Sequence, residues 1–163
     1  MGVNVFKAFS FVPHILLIVL LIVSVAIEEP KNVSRQEKSQ YYLKQYVSII
    51  ITTVMYMYAV GHIIMADRVA KSIGWTTGSP FQKEVAFANL SIAVGATYVA
   101  HNDLSIDAHK SIVLTFIAWL AGTLLVHIVD MFQHNNYNFN NLVGAPLFSV
   151  MAIVLGGYLI IAN

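Results

Sequence analysis

The chain contains no cysteine, which excludes disulfides, thiolate metal sites and cysteine nucleophiles. Charge is nearly as scarce. Asp, Glu, Lys and Arg make up 10% of the 163 residues, against about a quarter in an ordinary soluble domain. A net charge of +1 offers no basic surface, so nucleic acid is not expected as a partner. There is no internal repeat, Walker sequence, Gly-rich nucleotide loop, His-Glu-x-x-His or Gly-x-Ser-x-Gly. What fills the chain instead is hydrocarbon: 58% of residues are hydrophobic and the mean hydropathy is +0.71. This composition predicts an integral, multi-pass membrane protein whose first partner is the lipid bilayer.

Five apolar runs can be counted, at 8–27, 47–65, 80–100, 111–132 and 143–162. Each is near the roughly 20 residues that a spanning helix needs. No strand-like alternation of barrel type is present, and bilayer cores admit only helices or closed barrels. The expected fold is therefore all-α, a single domain over 1–163 built as a bundle of five transmembrane helices. The first run has a second reading. Lys7, the apolar stretch and Ser24-Val25-Ala26 also fit a signal peptide cleaved after Ala26, which would leave four spans.

The clearest polar stretch, residues 28–46, holds Lys31, Arg35, Lys38 and Lys44 and three acids. Ser34 with Glu37 three positions on is a capping box, predicting a helix that starts near Arg35 and projects from the membrane. Tyr41, Tyr42 and Tyr46 fit an interfacial aromatic belt. A second helix start is written in Ser79-Pro80-Phe81-Gln82: a natural N-cap, a proline at the first helical position and Gln82 to close a box. With five spans, four basic residues fall on one membrane side and five on the other, so the positive-inside rule sets no orientation.

Threading the runs brings several polar residues to one end of the bundle. His62 lies near the exit of the second run, and Gln82, Glu84 and Asn89 lie in the first turns of the third, with Glu84 and Asn89 expected to point inward. His127, Asp130 and His134 follow one stripe at the end of the fourth. Asn89 is deepest, about 15 Å along the helix from Ser79. Each residue also has a plainer reading. The histidines and Asn89 would fix helix register by hydrogen bonds, Glu84 would favour a helix N-terminus, and Asp130 and His134 would be solvated at the interface. Asp67 and Arg68 read as a pair at headgroup level. A sharper reading takes His62, Glu84, His127, Asp130 and His134 as ligands to a metal ion such as zinc, iron or copper. Another uses His62, Glu84 and His127 as a proton relay without metal. No spacing here is diagnostic, and the di-iron signature Glu-x-x-His on two helices is absent.

Three stripes of small residues permit close helix approach: Ser91 with Gly95, Ala118 with Gly122, and Ala152 with Gly156. Trp75, Phe81 and Tyr137 read as interfacial. The uncharged segment Asn135-Asn136-Tyr137-Asn138-Phe139-Asn140-Asn141 reads as a cap over the polar end.

Gly61-His62, Ile73-Gly74-Trp75, Ser79-Pro80-Phe81-Gln82-Lys83-Glu84 and Ala88-Asn89-Leu90 together carry a resemblance. The chain is similar to an uncharacterised family of small polytopic membrane proteins with a Gly-Trp…Ser-Pro-Phe-Gln-[Lys/Arg]-Glu signature. A later helix of that family has Trp, Gly and His at intervals matched here by Trp119, Gly122 and His127. The likeness covers about 60–144, and the basic first loop and the asparagine-rich loop are peculiar to this chain. It implies four or five membrane helices and a shared constellation of His62, Gln82, Glu84, Asn89 and His127. It implies no catalytic activity.

Three functional classes follow. The first is a non-catalytic accessory or structural subunit packed into a larger membrane complex of respiratory or copper-oxygenase type, with other membrane subunits as partners. Short loops and small-residue helix faces favour it. The second is a metal-dependent or proton-handling membrane enzyme with its site at the polar end. The third is a small-solute transporter, disfavoured because neither paired repeats nor broken helices are seen.

Overall fold

The computed structural model describes residues 29–163 together with Val19 and Val23. Apart from those two positions, the first apolar run and the cleavage site after Ala26 lie outside the described residues. Among the described residues the fold is all-helical, with five helices and no strand.

Helix α1, Arg35–Ile64, begins at Ser34 through the expected box. Ser34 Oγ accepts from the Glu37 amide at 3.2 Å, and Glu37 Oε2 accepts from the Ser34 amide at 2.8 Å. The two bonds satisfy donors that a helix start leaves open, typically worth about 1 kcal/mol. Midway, Tyr46–Ile51 forms a widened π-type segment. The Thr52 hydroxyl donates back to Val47 O at 3.0 Å across the wider turn. Here Tyr46, Val47, Ile50 and Ile51 are all buried. Tyr46 is thus not interfacial. Its hydroxyl donates to Ala152 O at 2.7 Å and its ring meets Phe116 edge-on.

Helix α1 ends at an elbow on Met65, and the short helix α2, Ala66–Ile73, leaves at an angle. It is amphipathic, burying Ala70 and Ile73 and exposing Asp67, Arg68 and Lys71. A Schellman motif stops it: Trp75 N donates to Ala70 O at 2.8 Å and Gly74 N to Lys71 O at 3.2 Å, with Gly74 left-handed at φ 81°. Asp67 and Arg68 do not pair. Asp67 Oδ1 instead accepts from the Gly78 amide at 2.8 Å, as expected when adjacent residues point to different sides of a helix.

Helix α3, Phe81–His101, starts one residue later than its signature suggests, with Pro80 at the cap. Ser79 Oγ accepts from Phe81 N at 3.3 Å, and the first turn is tight, with Gln82 N on Ser79 O. The expected box does not close, because the Gln82 side chain turns inward to His62. Helix α4, Ile106–His134, is capped by Ser105, whose Oγ accepts from Ala108 N at 3.3 Å. Helix α5 covers Asn140–Ile161.

Buried positions on α3 (Gln82, Ala86, Asn89, Ala93, Ala96) and α5 (Ser149, Ala152, Gly156, Leu159) recur every three or four residues, the signature of one inward stripe. Helix α1 buries residues on more than one side and is the central helix, packed most extensively on α3. The stripes at Gly95 and Gly156 are used within the chain. A Cβ on Gly156 would stand 3.0 Å from Val113 Cγ1, and one on Gly95 would stand 3.3 Å from Ile112 Cδ1. A Cβ on Gly122 would meet nothing within 4 Å, and both Ala118 and Gly122 are exposed.

Helices α1, α4 and α5 are long and apolar enough to cross a membrane. Helix α3 has 21 residues but carries Gln82, Lys83, Glu84, Asn89 and His101, and falls short in apolar character. Among the described residues three helices therefore meet the requirement where four runs were counted, and the first run lies outside them.

At one end, Lys44 Nζ and Asp103 Oδ1 pair at 2.6 Å, and Asn163 Nδ2 donates to Ser39 Oγ at 2.9 Å. These contacts tie the start of α1 to the α3–α4 turn and to the C-terminus. The hydrogen bond from Lys44, with its charge, holds the Asp103 carboxyl below its ordinary value of 3.8. A lowered carboxyl pKa means stabilisation that is complete at neutral pH and is lost as pH falls through the folded-state value. Lys44→Gln is expected to move the Asp103 titration up toward its ordinary value, read by NMR of the carboxyl carbon. An unmoved titration would show that the pair does not form in solution.

Candidate functional site

The opposite end of the bundle is organised around one carboxylate. Asp130, on the last turns of α4 and 15% exposed, takes four contacts. Its Oδ2 accepts from Trp75 Nε1 at 2.9 Å, Asn136 Nδ2 at 2.6 Å and Asn141 Nδ2 at 3.1 Å. Its Oδ1 meets His134 Nδ1 at 3.0 Å. One side chain thus joins α4, the turn after α2, the asparagine-rich loop and the start of α5.

The surrounding residues explain how the loop is held. Asn135 is left-handed at φ 52°, a conformation asparagine tolerates, and ends α4. Asn136 then reaches back, donating to Ile73 O at 2.8 Å as well as to Asp130. It lies so close to Gly74 that a Cβ there would sit 2.5 Å from Asn136 Oδ1. Asn141, wholly buried, donates to Asn136 O at 2.9 Å, and its Oδ1 pairs with His127 Nδ1 at 2.6 Å. Trp75 stacks on the His127 ring at 5.5 Å. The imidazole of His127 is 8% exposed and bracketed by the indole and an amide.

A second, separate polar contact joins α1 and α3: His62 Nδ1 to Gln82 Oε1 at 2.5 Å. Gln82 is 3% exposed. Deeper on the same α3 stripe, Asn89 is 1% exposed and its Oδ1 has no hydrogen-bond partner among the described residues.

The residues read from the sequence therefore divide. His127, Asp130 and His134 fall in one network, His62 and Gln82 form another pair, and Asn89 stands alone. Glu84 is exposed, contrary to an inward placement, and has no hydrogen bond or ion pair among the described residues. Helical phase accounts for this. At about 100° per residue, a side chain two positions from buried Gln82 points away from it. Among the described residues no three His, Asp or Glu side chains converge as a metal-binding group. His109, at the other end, is buried with Nδ1 against Ser105 O at 3.0 Å.

Trp75, Asn136 and Asn141 were not singled out as site residues from the sequence. Trp75 lies 55 positions from Asp130 in the chain, and no local pattern joins them. The one available signal was the run of asparagines without charge at the polar end, which matches a need for buried amide donors.

The chain belongs to the family of unknown function DUF6790, whose model matches residues 7–163. This agrees with the resemblance in so far as both point to an uncharacterised family. No curated protein and no solved structure matches the chain.

Proposed function

We propose that this protein is a multi-pass membrane protein acting as a non-catalytic accessory subunit, docked to a partner through the outer face of α4. The observation that carries the reading is the contrast between α4's two sides. Its inner side is closed by Phe116, Leu120 and His127, whereas Ala118 and Gly122 are exposed, with open space where a Cβ on Gly122 would stand. Small residues of this kind let a second helix approach closely in a bilayer, where lipid gives no hydrophobic drive.

The polar end supports the same view. Asp130 bonds Trp75, Asn136, Asn141 and His134, and His127 bonds Asn141 through Nδ1, so the network acts as a clasp between helices and loops. Helix α3 fits as a fourth membrane helix of this bundle. Gln82 and Asn89 turn inward, while Phe87, Val94 and Tyr98 are exposed and would face lipid. A helix judged by its average polarity is underrated when its polar residues point at a neighbour.

The test uses two variants in native membranes. Gly122→Leu is expected to break the complex while the isolated chain keeps its helical content, since the leucine meets open space. Glu84→Gln is expected to leave complex size unchanged. Loss of a bound metal or of an activity on Glu84→Gln, with assembly intact, would instead favour the enzyme reading.

A further inference from the structure

We propose that the elbow between α1 and α2 binds an anionic phospholipid, with its phosphate on Arg68 and Lys71 and its upper acyl chains against Ile63, Ile64 and Met65. The inference rests on the membrane embedding proposed above and adds a ligand class to it. The elbow encloses an open groove of about 610 Å³ lined by Ile63 through Arg68. Its apolar wall is unusually bare, with Ile63 47%, Ile64 74% and Met65 43% exposed. These residues continue the apolar run of α1 to the level where an amphipathic helix of this composition lies in the interface.

Charge supplies the second half of the site. Arg68 and Lys71, three apart on α2, share one face. The one contact of Arg68 is Nη1 to Met65 Sδ at 3.9 Å, and Lys71 has no hydrogen bond or ion pair among the described residues. The carboxylate that could neutralise them, Asp67, is turned to the Gly78 amide. Lys83 and Glu84, nearby on α3, add no net charge. Arg68 and Lys71 against Asp67 leave α2 with a net charge of +1, and two cations without ion pairs beside bare hydrocarbon match a lipid phosphate above acyl chains. A guanidinium offers a fork of donors to that phosphate. The elbow itself is continuously hydrogen-bonded, with Met65 N on Gly61 O and Val69 N on Met65 O, both 2.9 Å, so the site is preformed.

The full chain, extracted in mild detergent, should be offered phosphatidylglycerol and phosphatidylcholine of the same acyl composition and examined by native mass spectrometry. The wild type is expected to retain phosphatidylglycerol about tenfold or more in preference, the scale set by two interfacial basic residues. Arg68→Gln with Lys71→Gln should bring the two lipids to parity. Lys31→Gln with Lys110→Gln, at the other end of the bundle, should leave the preference intact. Equal retention by the wild type would overturn the proposal, as would a preference that survives in the Arg68/Lys71 variant or displacement by millimolar inorganic phosphate. Release of the chain from membranes by alkaline carbonate without detergent would defeat the embedding reading and the lipid site together. An embedded chain lacking the preference would defeat the lipid site alone.

Discussion

Replacing Asp130 by alanine is expected to destabilise the protein by about 3 kcal/mol. Three donors lose their acceptor at once. Among the described residues Trp75 Nε1 has Asp130 as its one acceptor, whereas Asn136 retains Ile73 O and Asn141 retains Asn136 O. A half-buried indole N–H left unpaired costs about 1–2 kcal/mol, and the two weakened amides add about 1 kcal/mol together. Asp130→Asn keeps one acceptor oxygen and should lose about half as much. The measurement is thermal or denaturant unfolding in detergent, with tryptophan emission followed in parallel. Trp75 should shift as its stack on His127 loosens, while Trp119, outside the network, should not. Equal stability of wild type and Asp130→Ala would mean that the clasp does not hold the polar end together.

Gly74→Ala is expected to cost about 3 kcal/mol, and Gly78→Ala about 1 kcal/mol. Both glycines are left-handed, at φ 81° and 79°, so an alanine at either carries a similar backbone penalty. They differ in what the new methyl would meet. At Gly78 the space is open. At Gly74 the methyl would fall 2.5 Å from Asn136 Oδ1 and 2.9 Å from Nδ2. Asn136 cannot step aside without giving up its bonds to Ile73 O and Asp130. The gap between the two variants therefore measures that contact. Equal losses would show that only the backbone conformation matters at Gly74.

The parts of this fold that were legible in the sequence are the ones set by local physics. Ser34 and Glu37 marked the start of α1 because a capping box is complete within four residues. The run at 111–132 lies inside α4, and that at 143–162 falls on α5 except for its last residue; both helices start earlier because polar turns such as Ile106–Lys110 remain helical beyond the hydrocarbon. Asn89 was correctly placed in the interior by its depth in an apolar run. Glu84 was not, since the same run gave no weight to helical phase. The Asp130 clasp was half legible. Its stripe of His127, Asp130 and His134 is periodic, whereas Trp75 and Asn136 reach it from loops whose course only tertiary packing decides. Trp75, in particular, has the composition of a membrane-interface residue and the position of a half-buried donor to Asp130.

These observations divide the molecule into a closed polar end and an open helix face. Asp130, His127 and their partners are turned on one another, and the small residues Ala118 and Gly122 of α4 are exposed. The most direct test is the size of the particle extracted in mild detergent from the native membrane, read by native gel and by identification of co-migrating chains. The account predicts a complex well above 18.0 kDa that contains other membrane subunits and collapses to the single chain on Gly122→Leu. A wild-type chain that migrates alone, and is unchanged by Gly122→Leu, would contradict it.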